Sequence, residues 1–340
     1  MAEPLLEVKG LKVRFATEDG LVKAVDGVDF KLERGKVLGI VGESGSGKSV
    51  TAMTLLGLTR DQNSVFEGEV LYKGQDILTM PEAQLREIRG NEIAMIFQDP
   101  MTSLNPVYRV GYQIVEAIVA HESVSKKVAR RRAIDLLKQV GIPSAEERIN
   151  SYPHELSGGM RQRAMIALAL SCNPDVVIAD EPTTALDVTI QAQILALLDN
   201  LRTEFDSAVI LITHDLGVVA SIAHEILVMY AGRVVESGPK RELFYDPQMP
   251  YTWGLLGSIP RLDRPKQEKL HSITGSPPSL INVPVGCKFR PRCPHAFDRC
   301  TEEPELVNRV EAADHFDRCW LSLDDKRRLR GETLAGEAVA

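Results

Sequence analysis

Residues 37–49 read Val-Leu-Gly-Ile-Val-Gly-Glu-Ser-Gly-Ser-Gly-Lys-Ser. The apolar run at the start of this stretch is of the kind that becomes a fully buried strand. The remainder, Gly42–Ser49, matches the pattern G-x-x-x-x-G-K-S/T. Glycines let the backbone turn tightly enough to aim several N–H groups at a phosphate, and the following helix adds the positive end of its dipole. The stretch therefore predicts a strand, a phosphate-binding loop and a helix, in the order of a nucleotide-binding α/β fold.

The polar and flexible positions of this loop each receive a predicted role. Lys48 is expected to reach the β- and γ-phosphates of a nucleotide, and the Ser49 hydroxyl is expected to bind Mg²⁺. The backbone that wraps the phosphates is expected at Gly42, Ser44, Gly45 and Gly47.

A second apolar run, Val176–Ala179, ends in the two carboxylates of Asp180 and Glu181. Asp180 is suited to hold Mg²⁺ through its water shell. Glu181 is suited to orient or deprotonate a water that attacks the γ-phosphate. Many strands simply end in solvated acids, so it is the pairing with the phosphate loop that favours the catalytic interpretation.

A third signal is Leu156-Ser157-Gly158-Gly159-Met160, which opens a segment rich in helix-forming residues. Ser157 is typical of an N-cap, and the glycines Gly158 and Gly159 leave the helix N-terminus bare for an anion. The chain thus contains two phosphate-binding helix starts, whereas one nucleotide needs only one phosphate loop. The second start is therefore predicted to serve a nucleotide that another chain holds.

Composition excludes some classes of protein. The net charge of −7 over 340 residues argues against a nucleic-acid binder that works through a general basic field. No apolar run approaches the roughly 20 residues that span a bilayer, and the start of the chain lacks the apolar core of a signal peptide. The chain is expected in the cytosol, where thiols stay reduced. Its 5 cysteines are therefore interpreted first as metal ligands or core residues.

The wider pattern indicates fold class and domains. Further buried-looking runs separated by helical patterns, at 93–97 and 209–213, predict a mostly parallel sheet covered on both faces. Alternation over the first thirty or so residues predicts antiparallel strands, and 98–170 is mainly helical in pattern. A hairpin is predicted from Ile226 to Val235, around Ala231-Gly232. Domains are predicted at 1–240, for nucleotide binding, and at 241–340, a smaller region that holds most of the cysteines.

The ordered set of phosphate loop, Gln98, Leu-Ser-Gly-Gly, Asp-Glu, Asp187 and His214 resembles an ABC transporter ATPase over residues 5 to about 240. The resemblance implies a RecA-like P-loop core with an antiparallel β subdomain and a helical subdomain. It implies that Gln98 contacts Mg²⁺ or the attacking water and senses the membrane subunit. It also implies that Ser157 and Gly159 grip the γ-phosphate across a dimer, that Asp187 belongs to the D-loop and that His214 contacts the γ-phosphate.

Two positions carry open questions. The resemblance implies that Phe15 stacks on adenine, but Phe15 alternates with Val13 and Leu11, so ordinary strand packing is a rival interpretation. The signature motif of the family, here Leu156–Met160, commonly ends in Gln where this chain has Met160. This difference leaves the serine and the glycines of the motif intact.

Longer stretches resemble the dipeptide and oligopeptide permease subfamily. They are Phe97–Pro106, Asp180–Thr189, Pro250–Thr252, Gly275–Pro278 and Gly286-Cys287. The subfamily commonly reads His-Pro-Tyr where this chain has Met249-Pro250-Tyr251. Relatives that import nickel, glutathione or oligosaccharides share these motifs, so these cargoes stay open as alternatives.

Four cysteines lie in the predicted C-terminal region at 241–340, which is called the tail below. They are spaced C-x5-C-x6-C-x18-C, at Cys287, Cys293, Cys300 and Cys319. The tight pairs usual for structural zinc are absent, and wide spacing with Cys293-Pro294 suits an iron–sulfur cluster. The resemblance to peptide permeases likewise implies a four-iron, four-sulfur (4Fe-4S) cluster. Zn²⁺ and no metal stay open. Nearby cations are expected to offset the thiolate charge: Lys288, Arg290, Arg292, Arg299 and Arg318.

The resemblance implies partners as well. They are a second ABC ATPase subunit, expected to be a paralogue, two transmembrane permease subunits and an extracytoplasmic substrate-binding protein; no nucleic acid is expected. The expected location is the cytoplasmic face of the inner membrane. A soluble ABC ATPase of DNA repair or translation is the alternative from another class, and a P-loop kinase or GTPase leaves Leu156–Gly159 and His214 unexplained.

Overall fold

A computed structural model of the chain describes residues 3–184, 186–258, 273–308 and 314–335, except the side chains of 102, 201 and 332–335. These residues form two compact units. Unit one contains Leu32–Val37 and Gln75–Ile212 together with the residues before Leu6. Unit two contains Leu6–Lys31, Leu38–Gly74 and the chain from Thr213 onward. Each unit consists of segments that pack together. The domain boundary near residue 240 stays a prediction.

The strands, in chain order, are β1 (Leu6–Thr17), β2 (Gly20–Leu32), β3 (Val37–Val41), β4 (Ser64–Tyr72), β5 (Gln75–Asp76), β6 (Ile93–Ile96), β7 (Val176–Asp180), β8 (Ala208–Thr213), β9 (Glu225–Tyr230), β10 (Arg233–Pro239), β11 (Val307–Asn308) and β12 (Phe316–Asp317).

The helices are α1 (Lys48–Leu55), α2 (Glu82–Ile88), α3 (Pro100–Ser103), α4 (Val110–His121), α5 (Lys126–Gln139), α6 (Ala145–Arg148), α7 (Gly158–Ala169), α8 (Val188–Phe205), α9 (Leu216–Ile222), α10 (Lys240–Tyr245), α11 (Pro250–Gly257) and α12 (Leu323–Ala335).

In unit two, β1 pairs with β4 in antiparallel fashion. The register shifts between Lys9 and Lys12, where Gly10 adopts a φ of 55°. This bulge changes which residues face inward, because an inserted residue reverses the alternation of the strand. Leu6 and Val8 are buried before the bulge and Leu11 and Val13 after it. The irregular apolar spacing of this strand is therefore the record of the bulge.

The larger sheet of unit two holds the phosphate loop at the end of β3. Strand β3 pairs in parallel with β9, and β9 pairs with β10 as an antiparallel hairpin. Ala231 and Gly232 have φ values of 46° and 81°, which matches the turn type whose twist suits a two-residue hairpin. The predicted hairpin is thus confirmed.

The tail extends this sheet. Strand β12 pairs with β10, and β11 pairs with β12. Because these short strands continue the sheet that carries the phosphate loop, the separate cysteine-containing C-terminal domain is not confirmed.

In unit one, β6, β7 and β8 form a parallel arrangement with β7 in the middle. All five residues of β7 are buried, as expected for a strand covered on both faces. Residues between Gln98 and Leu170 form helices α3 to α7 and one 3-10 turn. Among the described residues, none of the helices combines the length and the hydrophobicity that spanning a bilayer requires.

Candidate functional site

Two glycines of the phosphate loop admit no side chain. Gly42 has a φ of 153°, and a Cβ there would lie 2.2 Å from the Met229 carbonyl oxygen. Gly47 has a φ of 100°, and a Cβ there would lie 2.4 Å from the Ala24 carbonyl oxygen. Only glycine combines these angles with such close backbone approach. The loop is therefore fixed at both ends by its neighbours in unit two.

Lys48 lies inside the loop and is 5% exposed. Its Nζ donates hydrogen bonds to the carbonyl oxygens of Gly42, at 2.8 Å, and Glu43, at 2.9 Å, and to Ser46 Oγ at 3.3 Å. Ser49 follows in the first turn of α1. An ammonium group, a hydroxyl and a helix N-terminus thus meet at one place, which is the chemistry that binds a polyphosphate.

Glu43, the second residue of the loop, is held by two residues of the tail. Its N–H donates to the Tyr251 hydroxyl at 2.9 Å. Its carboxylate accepts two hydrogen bonds from Arg292, at 2.6 and 3.0 Å.

The acidic pair lies in unit one at the end of β7. Asp180 is buried, with 5% of its surface exposed. Glu181 adopts a φ of 47°, a conformation that is unfavourable for residues other than glycine and that concentrates at functional sites. Its N–H donates to the Ile212 carbonyl oxygen at 2.8 Å. The strand therefore stops at Asp180, and the chain turns sharply at Glu181.

Two donors orient the Glu181 carboxylate. Gln98 Nε2 donates to Glu181 Oε2 at 2.9 Å. Thr184 Oγ1 donates to the same oxygen at 2.8 Å. The structure thus brings together Gln98 and Glu181, which the sequence predicted as partners in one reaction. Thr184 is an additional contact that sequence reasoning missed.

The signature serine caps α7. Ser157 Oγ accepts a hydrogen bond from the Met160 N–H at 3.4 Å. Ser157 and Gly158 are exposed, and a Cβ placed on Gly158 meets no described atom within 4 Å. This helix start is open to solvent, which suits the binding of an anion from outside the chain.

Asp187 begins the helix next to this one. Asp187 Oδ1 accepts a hydrogen bond from the Ile190 N–H at 3.0 Å, so it is the N-cap of α8. A Cβ on Gly159 would lie 3.5 Å from Ile190 Cγ2. The starts of α7 and α8 therefore lie side by side in unit one, and both are largely exposed.

The remaining predicted contacts belong to unit two. His214 is exposed directly after β8. Phe15 is half-buried on β1, opposite Ser64 of β4. Partial burial is compatible both with strand packing and with stacking on a base, so the role of Phe15 stays a prediction.

The four tail cysteines line one small cavity of about 10 Å³, together with aromatic and apolar residues such as Phe289 and Trp320. Burial raises the pKa of Cys293 and of Cys319 to about 12, and burial also raises the pKa of Cys287.

The predicted iron–sulfur cluster is contradicted, and so is the zinc alternative. Among the described residues, which include all four tail cysteines, no group of three or more His, Cys, Asp or Glu side chains is placed to hold a metal ion. Several cations expected to offset thiolate charge are engaged elsewhere. Lys288 binds Asp26, Arg292 binds Glu43, and Arg318 donates to the Val234 carbonyl oxygen.

Sequence reasoning missed the roles of Tyr251 and Arg292 at the phosphate loop. A signal was present, because Glu43 places a carboxylate within a loop that binds a polyanion. A carboxylate in such a loop is stabilised by a nearby cation that compensates its charge. Nothing in the local pattern says that this cation comes from the tail.

Two family models match the chain. The ABC transporter model matches residues 25–184. The model of the oligopeptide/dipeptide transporter C-terminal region matches residues 235–300.

Curated relatives match nearly the whole length. The oligopeptide transport ATP-binding protein OppD of Bacillus subtilis (strain 168) is 51% identical, over 93% of this chain and 88% of that protein. The dipeptide transport ATP-binding protein DppD of Lactococcus lactis subsp. cremoris (strain MG1363) is 53% identical, over 94% of this chain and 91% of that protein.

A solved structure matches the fold. The dimeric structure of MJ0796, a bacterial ABC transporter cassette, is similar with a TM-score of 0.63 and 28% identity, over 69% of this chain and 99% of that one. Together with the loop, the acidic pair and the signature helix, these matches show that the chain belongs to the ABC transporter family, among the ATP-binding proteins that carry the oligopeptide/dipeptide transporter C-terminal region.

Proposed function

We propose that this chain binds and hydrolyses ATP and thereby energises the import of oligopeptides or dipeptides through an ABC transporter. The observation that carries the hydrolytic part is the Glu181 carboxylate, held by Gln98 and Thr184 at the end of a buried strand. The cargo is inferred from relatives named as oligopeptide and dipeptide transport proteins. Nickel, glutathione and oligosaccharide import are not favoured by these matches.

The phosphate loop supplies the binding part of the mechanism. Lys48 and the loop backbone would take the β- and γ-phosphates, with Gly42, Ser44, Gly45 and Gly47 giving the backbone room. Phe15 would stack on the adenine.

Mg²⁺ fits the oxygen donors present. It is a hard cation that prefers carboxylate and hydroxyl oxygens, and when bound it neutralises charge on the transferred phosphate. The Ser49 hydroxyl and the buried Asp180 carboxylate would hold it. Gln98 would contact either Mg²⁺ or the attacking water.

Glu181 would act as the general base. Proton removal by a positioned carboxylate contributes a factor of about 10² to 10⁴ in rate. Gln98 and Thr184 fix the carboxylate, and His214 would contact the γ-phosphate.

The signature helix would act on a second chain's nucleotide. Its support is the open, exposed start of α7 beside that of α8 and the similarity to a cassette solved as a dimer. Ser157, Gly158 and Gly159 would bind the γ-phosphate across the interface, and Asp187 would line it. The second chain would be a paralogue.

The other partners follow from the transporter class. They would be two transmembrane permease subunits and an extracytoplasmic substrate-binding protein, with this chain at the cytoplasmic face of the membrane.

Reconstitution of the assembled transporter in vesicles tests this function. We expect uptake of a radiolabelled tripeptide that requires ATP on the side of this chain. Uptake of nickel, glutathione or an oligosaccharide in place of peptide would contradict the cargo, whereas peptide uptake without ATP hydrolysis would contradict the enzyme.

A further inference from the structure

Glu43 places a carboxylate inside the phosphate loop. It lies in the loop that binds a polyanion, and two like charges at close range repel each other strongly where water is partly excluded. Its side chain is 27% exposed, so water screens it only in part. A cation that offsets the carboxylate therefore favours phosphate binding at this loop.

Arg292 supplies that cation. Its guanidinium donates to both carboxylate oxygens of Glu43, in the paired geometry that makes such contacts strong. The Arg292 side chain is 5% exposed, and its Nε donates to the Thr274 carbonyl oxygen at 3.0 Å. The arginine is thus fixed from behind and presents its fork to Glu43.

Tyr251 holds the backbone of the same residue. Its hydroxyl accepts the Glu43 N–H, and its ring packs against Tyr230 and Phe289, with centroids 4.7 and 5.3 Å away. The side chain and the amide of Glu43 are therefore both held by residues within 235–300, the segment that matches the oligopeptide/dipeptide transporter C-terminal region.

This contact reaches the nucleotide-binding lysine in one step. The Glu43 carbonyl oxygen accepts a hydrogen bond from Lys48 Nζ. A change in the position of residue 43 therefore moves an acceptor of the ammonium group.

We propose that Arg292 and Tyr251 are positioning residues for ATP binding, through which the C-terminal region neutralises Glu43 and fixes the phosphate loop around Lys48. The inference rests on the proposed function, since it concerns the affinity of the same loop for ATP. It assigns to the peptide-transporter tail a control over the nucleotide site of its own chain.

The test is a titration of the purified full-length chain with ATP. Arg292→Gln should weaken ATP binding about ten-fold, the size typical of residues that act through a neighbour, because Glu43 is left as an uncompensated charge in the loop. Arg241→Gln is the matched control, since Arg241 lies in the same unit with its side chain 86% exposed, and it should bind ATP like the wild type.

The double variant Glu43→Gln with Arg292→Gln separates positioning from a purely structural role. It removes the unpaired charge, so ATP affinity should return to within about three-fold of the wild type, as expected when two residues act through one contact. If Arg292 matters only through its bond to Thr274, the double variant should bind as poorly as Arg292→Gln.

Tyr251→Phe keeps the ring and removes the acceptor of the Glu43 N–H. It should raise the Kd for ATP while circular dichroism reports a folded chain. Wild-type affinity in both Arg292→Gln and Tyr251→Phe would overturn the inference. A wild-type chain that does not bind ATP would instead overturn the proposed function.

Discussion

Glu181 turns the chain out of a buried strand at a φ of 47°. A residue other than glycine held in this region costs about 1–3 kcal/mol, and it persists only where its surroundings fix it. Here the surroundings are the Ile212 carbonyl oxygen, Gln98 and Thr184. The strain is thus associated with an oriented carboxylate.

Glu181→Gln should lower the rate of ATP hydrolysis by at least about a hundred-fold, because the proposed general base is removed. ATP binding should stay close to that of the wild type, since the phosphate loop is unchanged. Phosphate release and equilibrium ATP binding measure the two effects separately. Glu305→Gln, at an exposed position of the tail, is the matched control, and near-normal turnover of Glu181→Gln would remove Glu181 from this role.

At the scale of single residues, the sequence indicated which residues belong to the site better than it indicated which side chains they contact. The motifs predicted roles for Gln98 and Glu181 in the same reaction, and the hydrogen bond between their side chains is a contact that the motifs did not predict. Arg292 was interpreted as a counter-charge for thiolates, because nearness in sequence favoured the cysteines. In the folded chain it donates to Glu43, because a buried guanidinium needs a carboxylate partner.

Among the elements, helix α7 begins with a serine cap and two glycines, and its start is exposed. The start of this helix is predicted to bind a nucleotide that another chain holds. The helix starts at α7 and α8 could be anticipated from their capping residues. The bulge in β1 was not predicted, although the break in apolar spacing between Val8 and Leu11 and the glycine at position 10 were local signals for it.

Ser157→Arg should abolish ATP hydrolysis in the assembled transporter, because a large cation would fill the proposed site of another chain's γ-phosphate. ATP should still bind to the phosphate loop of the variant, as measured by titration of the isolated chain. Ser123→Arg places the same side chain at an exposed position and should hydrolyse normally. Loss of the variant's own ATP binding would contradict a signature that acts across a dimer.

Strand β12 is tied to β10 by a buried pair. His315 Nε2 lies 2.8 Å from Glu236 Oε1. Burial alone lowers the pKa of His315, but the hydrogen bond and charge of Glu236, aided by the charges of Asp317 and Asp246, raise it above its ordinary value of 6.5 overall.

A raised pKa in the folded state gives stability that is complete below the ordinary value of 6.5 and is lost as pH rises through the folded value. The Tm of the wild type should therefore fall relative to that of His315→Gln as pH increases above about 6.5, by on the order of 2 °C. Thermal unfolding of both proteins across this range measures the difference. A constant difference in Tm would show that the pair does not titrate there.

For the whole molecule, the α/β fold with mixed sheets was within reach of the sequence, because apolar runs, a phosphate loop and turn residues all pointed the same way. The tail was not. Its wide cysteine spacing suggested a metal-centred domain, whereas its described part packs onto β10 and around aromatic residues. Packing of this kind leaves no periodic trace in a short irregular segment.

Dimer formation is the prediction at this scale. With its partner ATPase chain present, Glu181→Gln should form a stable dimer in ATP, because the nucleotide that joins the chains is not consumed. The same mixture in ADP should contain monomers, which light scattering after size-exclusion distinguishes. A mixture that stays monomeric although ATP is bound would contradict the shared site.

The salt bridge between Glu43 and Arg292 joins positions 249 residues apart in the chain. Two ends of one gene are therefore subject to a single selective constraint. In an alignment of peptide-transporter paralogues these columns should change together, with a neutral residue at one accompanied by loss of the arginine at the other. A chimera that exchanges only the tail would inherit a mismatched pair wherever they differ, so recombination should succeed only when both positions travel from the same parent.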